Sequence, residues 1–283
     1  MSARPADAVM RTGDLPALPA VALELIRSLG DEAAGSAALA STIACDPALV
    51  AKTLRLANSP FYGVSRTVDT VADAVAILGT RTLRGMASAA SLMLGLAARC
   101  GPAFDQTAFW RHALGTALSA EALARVLGRD EELAFTLGLL HDIGRLALAA
   151  VAPASHAAVL EQQRRTDSPV LEAERAVLGT DHAALGALAA EHWRFAPRIV
   201  RAIAEHHAPP DDVAAWEADL LHVADNVAHA LDLTHSADDQ VPPLSLASWQ
   251  RLALDERHCR EAFAQVEARH ESICAALLGD AAI

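Results

Sequence analysis

The stretch LGLLHDIGRLAL, residues 137–148, determines how this chain folds and what it can bind. Its leucines and alanines surround the pair His141 and Asp142, and they lack the alternation of apolar and polar residues that a half-buried strand shows. Burying an aspartate in such apolar sequence is costly unless the carboxylate is paired or bound to a cation. The stretch therefore predicts a buried helical segment that carries a charged group with a partner.

The rest of the chain has the same helix-favouring composition, which predicts an all-α fold. Asp46-Pro47 and Ser168-Pro169 each place a capping side chain before a proline at the first helical position, and Pro197 begins another helix. Gly128 is expected to end the helix that begins near Asp105.

Breaks in this pattern divide the chain into four segments. Residues 1–14 are expected to form a flexible tail, and residues 15–100 a series of short helices that ends at Gly101-Pro102. Residues 101–235 form a second helical segment that holds most of the histidines. Residues 236–283 comprise the end of a polar, proline-containing loop and a last pair of helices.

The composition of the chain argues against several classes of function. There are 23 basic and 35 acidic residues, a net charge of −12, which argues against binding to nucleic acid or to anionic membranes. The uncharged stretch Gly85 to Ala98 is too short to span a bilayer, and the amino terminus shows no secretory signal. The four cysteines lie far apart, so we expect a cytoplasmic protein with reduced thiols.

Other histidines and one aspartate occur on further predicted helices and could join His141 and Asp142. They are His112, His182, His206, His207 and Asp225. Imidazole and carboxylate together suit divalent iron, manganese, zinc or nickel. The remaining histidines are interpreted as packing residues with one satisfied hydrogen bond, namely His156, His192, His222, His229, His235, His258 and His270.

At these residues the chain resembles the HD superfamily of metal-dependent phosphohydrolases. The superfamily motif runs His, His-Asp, Asp, and it is matched in order by His112, His141, Asp142 and Asp225. Over residues 14 to 235 the chain is similar to the HDOD family within that superfamily. The segments that carry this second resemblance are LPALPAVALELIRSLG, DPALVAKTLRLANSPFYG and AVAILGTRTLRGMA. The resemblance implies a multi-helix HD-like core packed against an amino-terminal helical part.

The resemblance also implies a function and a ligand set. HDOD proteins are regulatory modules, so it implies a bacterial signalling protein with protein partners. His182, His206 and His207 match extra ligands of the related HD-GYP phosphodiesterases. The resemblance would support two metals bridged by Asp142. One would be held by His112, His141 and Asp225, and the other by these three histidines.

The chain departs from the HD-GYP pattern at the positions nearest the chemistry. The GYP segment is replaced by HHAPPDDVAAW, and the motif lysine is Arg145. Arginine can bind a phosphate through its planar guanidinium but does not donate a proton near neutral pH. Two functions therefore stay open: a signalling module, or a phosphohydrolase that acts on a phosphodiester, a nucleotide or another phosphorylated small molecule, with Asp142 and Arg145 as its catalytic residues.

Overall fold

The computed structural model describes residues 9–10, 12–28, 35–64, 66–96, 99–236 and 239–279, and for His258 the backbone only. Helices connected by turns and loops make up these residues, and they contain no strand, which confirms the predicted all-α class. The helices are α1 Ala20–Arg27, α2 Ser36–Ala44, α3 Pro47–Ala57, α4 Val71–Leu78, α5 Thr80–Leu96, α6 Gln106–Val126, α7 Glu131–Leu140, α8 Ile143–Val151, α9 Pro153–Thr166, α10 Val170–Leu178, α11 His182–His192, α12 Pro197–Glu205, α13 Trp216–Ala230, α14 Leu246–Leu252 and α15 Glu256–Leu278. Short 3₁₀ turns form at Thr12–Asp14 and Pro60–Tyr62.

Most of the predicted helix ends are confirmed. The Asp46 carboxylate accepts a hydrogen bond from the backbone of Ala48 at 2.8 Å at the start of α3. Helix α12 begins at Pro197. Helix α6 is capped by Asp105, and Gly128, with a φ of +61°, follows it.

The predicted cap at Ser168 is wrong. Helix α10 begins at Val170, and its preceding residue is Pro169, with no capping side chain. Asp167 adopts a left-handed conformation at the end of α9. The turn directs the Ser168 hydroxyl back to Thr166 Oγ1 at 2.9 Å, so it is engaged with the preceding helix.

Helix α6 lies at the centre of the histidine-rich part, where it packs against α7, α13 and α15. The contact with α15 includes a hydrogen bond of 2.8 Å from His270 Nε2 to the carbonyl oxygen of Arg111, the residue before His112. Helix α15 also packs on α3 in the amino-terminal part. One hydrophobic core runs from Met10 to Leu277, which confirms that the two helical parts pack together.

The predicted segment boundaries at 100 and 235 fall between helices, after α5 and after α13. Of the predicted tail, residues 1–8 and 11 lie outside the described residues, while Met10 is fully buried. One stretch, Glu131–Val151, is long and apolar enough by composition to cross a membrane. In this fold 83% of its most apolar window is buried inside the protein, and the stretch comprises two helices, α7 and α8.

Two glycines in this region allow helix backbones to approach closely. A Cβ atom on Gly138 of α7 would lie 2.5 Å from the Cα of Ala117 on α6. A Cβ on Gly144 of α8 would lie only 2.0 Å from the carbonyl oxygen of His182, at the start of α11. Both spaces are limited by backbone atoms, which cannot move aside as a flexible side chain can.

Candidate metal centre

The seven predicted ligands converge in one cluster. His112 lies within α6, His141 and Asp142 occupy the turn between α7 and α8, and His182 begins α11. The other three come from the end of α12 and from α13: His206, His207 and Asp225. Six of the seven are 0–4% exposed, and His207 is partly buried. Helices distant in sequence therefore supply a shared, water-poor site.

The first group of donor atoms surrounds Asp225. Its Oδ1 lies 3.0 Å from His112 Nε2 and 3.4 Å from His141 Nε2. The two imidazole nitrogens are 3.1 Å from each other. Atoms that bind one transition metal at about 2.0 to 2.2 Å lie roughly 3 Å apart. The spacing of this group therefore fits a common ion.

The second group surrounds His182. Its Nε2 lies 2.6 Å from His207 Nε2 and 3.1 Å from Asp142 Oδ1. The rings of His206 and His207 are tilted against each other with centroids 3.9 Å apart, and both also contact the ring of His182, so both face the cluster although they are adjacent in sequence. This is possible because α12 ends at Glu205 and a turn follows.

Asp142 lies between the two groups. The oxygen that faces His182 is 3.7 Å from His141 Nε2, while its other oxygen, Oδ2, accepts a hydrogen bond from Arg145 at 3.0 Å. One carboxylate oxygen is thus within reach of ions in both groups. Arg145 is 27% exposed and lies on the solvent side of the cluster.

Hydrogen bonds fix which ring nitrogen faces the cluster. His141 Nδ1 donates to the carbonyl oxygen of Gly138 at 2.7 Å, and His206 Nδ1 donates to that of Ile203 at 2.8 Å. His182 Nδ1 lies 2.6 Å from a carboxylate oxygen of Glu174, which is buried. In each ring this leaves Nε2 free to face the centre, the division of roles that metal-binding histidines show.

The electrostatics of the cluster favour added positive charge. Burial raises the pKa of Asp142, but His141, His182 and Arg145 outweigh it and hold that pKa well below its usual range. For His182, burial lowers the pKa, whereas Glu174 and Asp142 raise it to about 10. Burial and the neighbouring charges of His141 and His182 lower the pKa of His206 to about 4. The buried carboxylates thus stay ionised, and their charge can be offset by protons or by metal ions.

Three atoms in the cluster are buried without a well-directed hydrogen bond among the described residues: His112 Nδ1, His206 Nε2 and Asp225 Oδ1. A buried polar atom of this kind is costly unless something else satisfies it. Imidazole nitrogens and carboxylate oxygens are ligands of transition metals, so the donor set fits a metal, and the His and Asp clusters suggest metal binding.

Two residues of this neighbourhood were not predicted as part of the site from the sequence. Glu174 lies on α10 and gave no local signal, because its link to His182 arises only when α10 and α11 are folded. His229 was interpreted as a packing residue, yet its Nε2 lies 3.4 Å from Asp225 Oδ1. The spacing of four residues puts Asp225 and His229 on one helix face, and this signal could have identified His229.

His222 and His156 are buried, as predicted for packing residues, whereas His192 and His235 are exposed, so the prediction is wrong for those two. His222 Nδ1 lies 2.8 Å from the carbonyl oxygen of His206, and its Nε2 accepts a hydrogen bond from the backbone of Ser245 at 2.9 Å. Both ring nitrogens are therefore used within the protein. His156 is buried against the ring of Phe104.

Substitution of Glu174 tests whether its carboxylate orients His182. We expect Glu174→Gln to weaken metal binding about 10-fold and Glu174→Ala up to about 100-fold, the range found for carboxylates that support ligating histidines. Isothermal titration of the metal-free proteins measures this. Equal affinity in Glu174→Ala and the unaltered protein would show that Glu174 does not support a ligand. Glu161→Gln, on an exposed part of α9, is the control.

Comparison with known proteins identifies the family and the fold of the chain. A family model described as the HDOD domain matches residues 15–209. A solved structure of an inferred phosphohydrolase from Shewanella amazonensis SB2B is 30% identical, with a TM-score of 0.74, covering 94% of this chain and 96% of that one. A solved structure of an inferred signal transduction protein from Marinobacter aquaeolei VT8 is 26% identical, with a TM-score of 0.77, covering 97% of this chain and 61% of that one.

Among curated proteins, an uncharacterized protein of Treponema pallidum (strain Nichols) is 25% identical over 255 residues. That match covers 87% of this chain, which spans about half (48%) of the relative's length. The family model covers well over half of the chain, and the matched residues include α1 to α12. The chain belongs to the HDOD domain family.

Proposed function

We propose that this protein is a regulatory HDOD protein whose HD core binds one or two divalent transition metals and which acts through signalling protein partners. The observation that carries the proposal is the burial of the ligand set, in which six of seven side chains are 0–4% exposed. Metal sites with a structural role are enclosed by protein, whereas catalytic sites keep a position open for substrate.

Arg145 supports the same conclusion. Its guanidinium is engaged with Asp142 at 3.0 Å, so a phosphate would have to compete with a buried carboxylate for it. Arginine also lacks the proton that a lysine with a lowered pKa can donate. The Marinobacter relative, named as an inferred signal transduction protein, is consistent with a regulatory role.

The chain's own residues would hold the metals as two groups. His112, His141 and Asp225 would bind one ion, His182, His206 and His207 would bind a second, and Asp142 would lie between them. A bound metal of this kind supplies Lewis-acid polarisation of a phosphoryl oxygen. The residues around it exclude water and keep the imidazoles of His141, His182 and His206 in the tautomer that binds through Nε2.

Metal-dependent phosphohydrolysis is the second candidate. It is favoured by the position of Asp142 Oδ1, 3.1 Å from His182 Nε2 and 3.7 Å from His141 Nε2, because two-metal hydrolases hold their ions with a shared carboxylate. Arg145, at the exposed side, would orient a phosphodiester, a nucleotide or another phosphorylated small molecule. The relative from Shewanella amazonensis is named as an inferred phosphohydrolase.

One experiment separates the two functions. The purified protein is analysed for metal, then loaded with manganese, iron or zinc and assayed on bis(p-nitrophenyl) phosphate, cyclic di-GMP and nucleoside triphosphates. We expect bound metal without turnover. Metal-dependent turnover that is lost in His141→Ala but retained in His192→Ala, an exposed histidine, would replace the regulatory proposal with the enzymatic one.

A further inference from the structure

Resting on the proposed metal site, we infer that His229 is an additional ligand of the ion held by His112 and Asp225, and that Asp239 positions its ring. Neither residue belongs to the His, His-Asp, Asp motif. His229 lies near the end of α13, and Asp239 lies in the loop that follows this helix. The site would therefore extend beyond the helical core into that loop.

Distances place the His229 ring within the first group of donor atoms. Its Nε2 is 3.4 Å from Asp225 Oδ1, the same separation as that of His141 Nε2. Its ring centroid is 4.4 Å from that of His112. One ligand atom from each of His112, Asp225 and His229 lies within 4.8 Å of the others. Three imidazole nitrogens thus face one carboxylate oxygen. With Nδ1 of His141 protonated, its Nε2 carries a lone pair that cannot bond directly to an ionised carboxylate, and a cation between these atoms would satisfy both.

The orientation of the His229 ring supports ligation. Its Nδ1 contacts Asp239 Oδ1, and Asp239 Oδ2 accepts a hydrogen bond from the Thr234 hydroxyl at 2.8 Å. His229 therefore has the arrangement seen in His141, His182 and His206, with Nδ1 engaged by an acceptor and Nε2 directed into the cluster. His222, on the same helix, has both nitrogens engaged by backbone groups and lies outside this pattern.

The inference has a structural consequence for the loop. Asp239 and Thr234 lie on the segment that connects α13 to α14. If His229 binds the ion, Asp239 is the carboxylate that supports a ligand, and metal binding and the position of the loop become linked. A regulatory protein could use such a link, since the loop is a surface segment that contains the exposed residues Val241 and Leu244.

Titration of the metal-free protein with Co²⁺ tests the inference, because the visible spectrum of this ion reports its ligands and the titration gives its affinity. We expect His229→Ala and His229→Gln to weaken binding of one ion at least 10-fold and to change its spectrum. Asp239→Asn should weaken the same ion about 10-fold, since it removes the charge that supports the ring. His192→Ala should bind as the unaltered protein does.

The outcomes distinguish this inference from the proposed function. If the unaltered protein binds no Co²⁺, the metal site itself is wrong, and this inference falls with it. If the unaltered protein binds Co²⁺ and His229→Ala binds it with the same affinity and spectrum, only the inference is overturned. Full recovery in His229→Gln alone would also overturn it, because glutamine can replace a hydrogen bond to Asp225 but not an imidazole ligand. Thermal unfolding of each metal-free variant checks that it is folded.

Discussion

Replacement of Asp142 by alanine should remove the bound metal almost completely. Its carboxylate lies between the two groups of donor atoms, 3.1 Å from His182 Nε2 and 3.7 Å from His141 Nε2. Without it, His141 and His182 keep their positions in a buried site but lose a negative charge that favours a cation. We expect metal content to fall from one or two ions to near zero, measured by inductively coupled plasma mass spectrometry after loading.

The same variant should abolish the stabilisation that metal provides. A ligand that binds only the folded state raises the free energy of unfolding, by about 4 kcal/mol at a thousandfold excess over Kd. Addition of Mn²⁺ or Zn²⁺ should therefore raise the Tm of the unaltered protein and leave that of Asp142→Ala unchanged. Asp142→Asn, which keeps the shape of the side chain, should behave like Asp142→Ala, and the exposed Asp69→Ala is the control. Normal metal content in both Asp142 variants would refute the assignment.

Gly144→Ala should destabilise the fold and also disturb the metal site. The added Cβ would lie 2.0 Å from the carbonyl oxygen of His182 and 2.5 Å from the backbone nitrogen of Gly186. Because both are backbone atoms, α8 and α11 have to separate, and Asp142 moves away from His182. Overpacking of this kind costs about 3 kcal/mol, although alanine is favoured over glycine within a helix.

Urea denaturation of the metal-free protein measures this cost. Gly13→Ala is the matched control, since a Cβ there meets nothing within 4 Å. Its expected effect is within about 0.5 kcal/mol. A Gly144→Ala variant that is as stable as Gly13→Ala and binds metal normally would show that the close approach of α8 and α11 is not required.

Local signals in the sequence were sufficient for much of the fold. Asp46 before Pro47 predicts where a helix begins, because the capping side chain and the proline both act on the first turn of the helix. Ser168 before Pro169 carries the same signal and failed, since the left-handed Asp167 turns its hydroxyl towards Thr166. A short polar side chain has several backbone and side-chain partners within reach, and the tertiary path of the chain decides among them.

The candidate site was predictable to the extent that it follows a motif in chain order. The motif residues are far apart in sequence, namely His112, His141, Asp142 and Asp225. Only the family resemblance predicted that they share one site. Glu174 and Asp239 were not predictable, because each acts on a histidine through a contact made only after two segments have folded against each other. Residues that support metal ligands occur at no fixed sequence distance from those ligands, so a sequence motif does not include them.

The packing of α15 extends the cooperative unit of this protein beyond the region that the family model matches. The match ends at residue 209, whereas α15, residues 256–278, contacts both α3 and α6. Its His270 is fully buried against the backbone of Arg111, next to His112. Opening of α15 would therefore expose apolar surface on helices from both ends of the chain. Slow amide exchange in α3, α6 and α15 is then expected to follow one shared opening reaction, with the candidate metal site protected by the carboxyl-terminal helix.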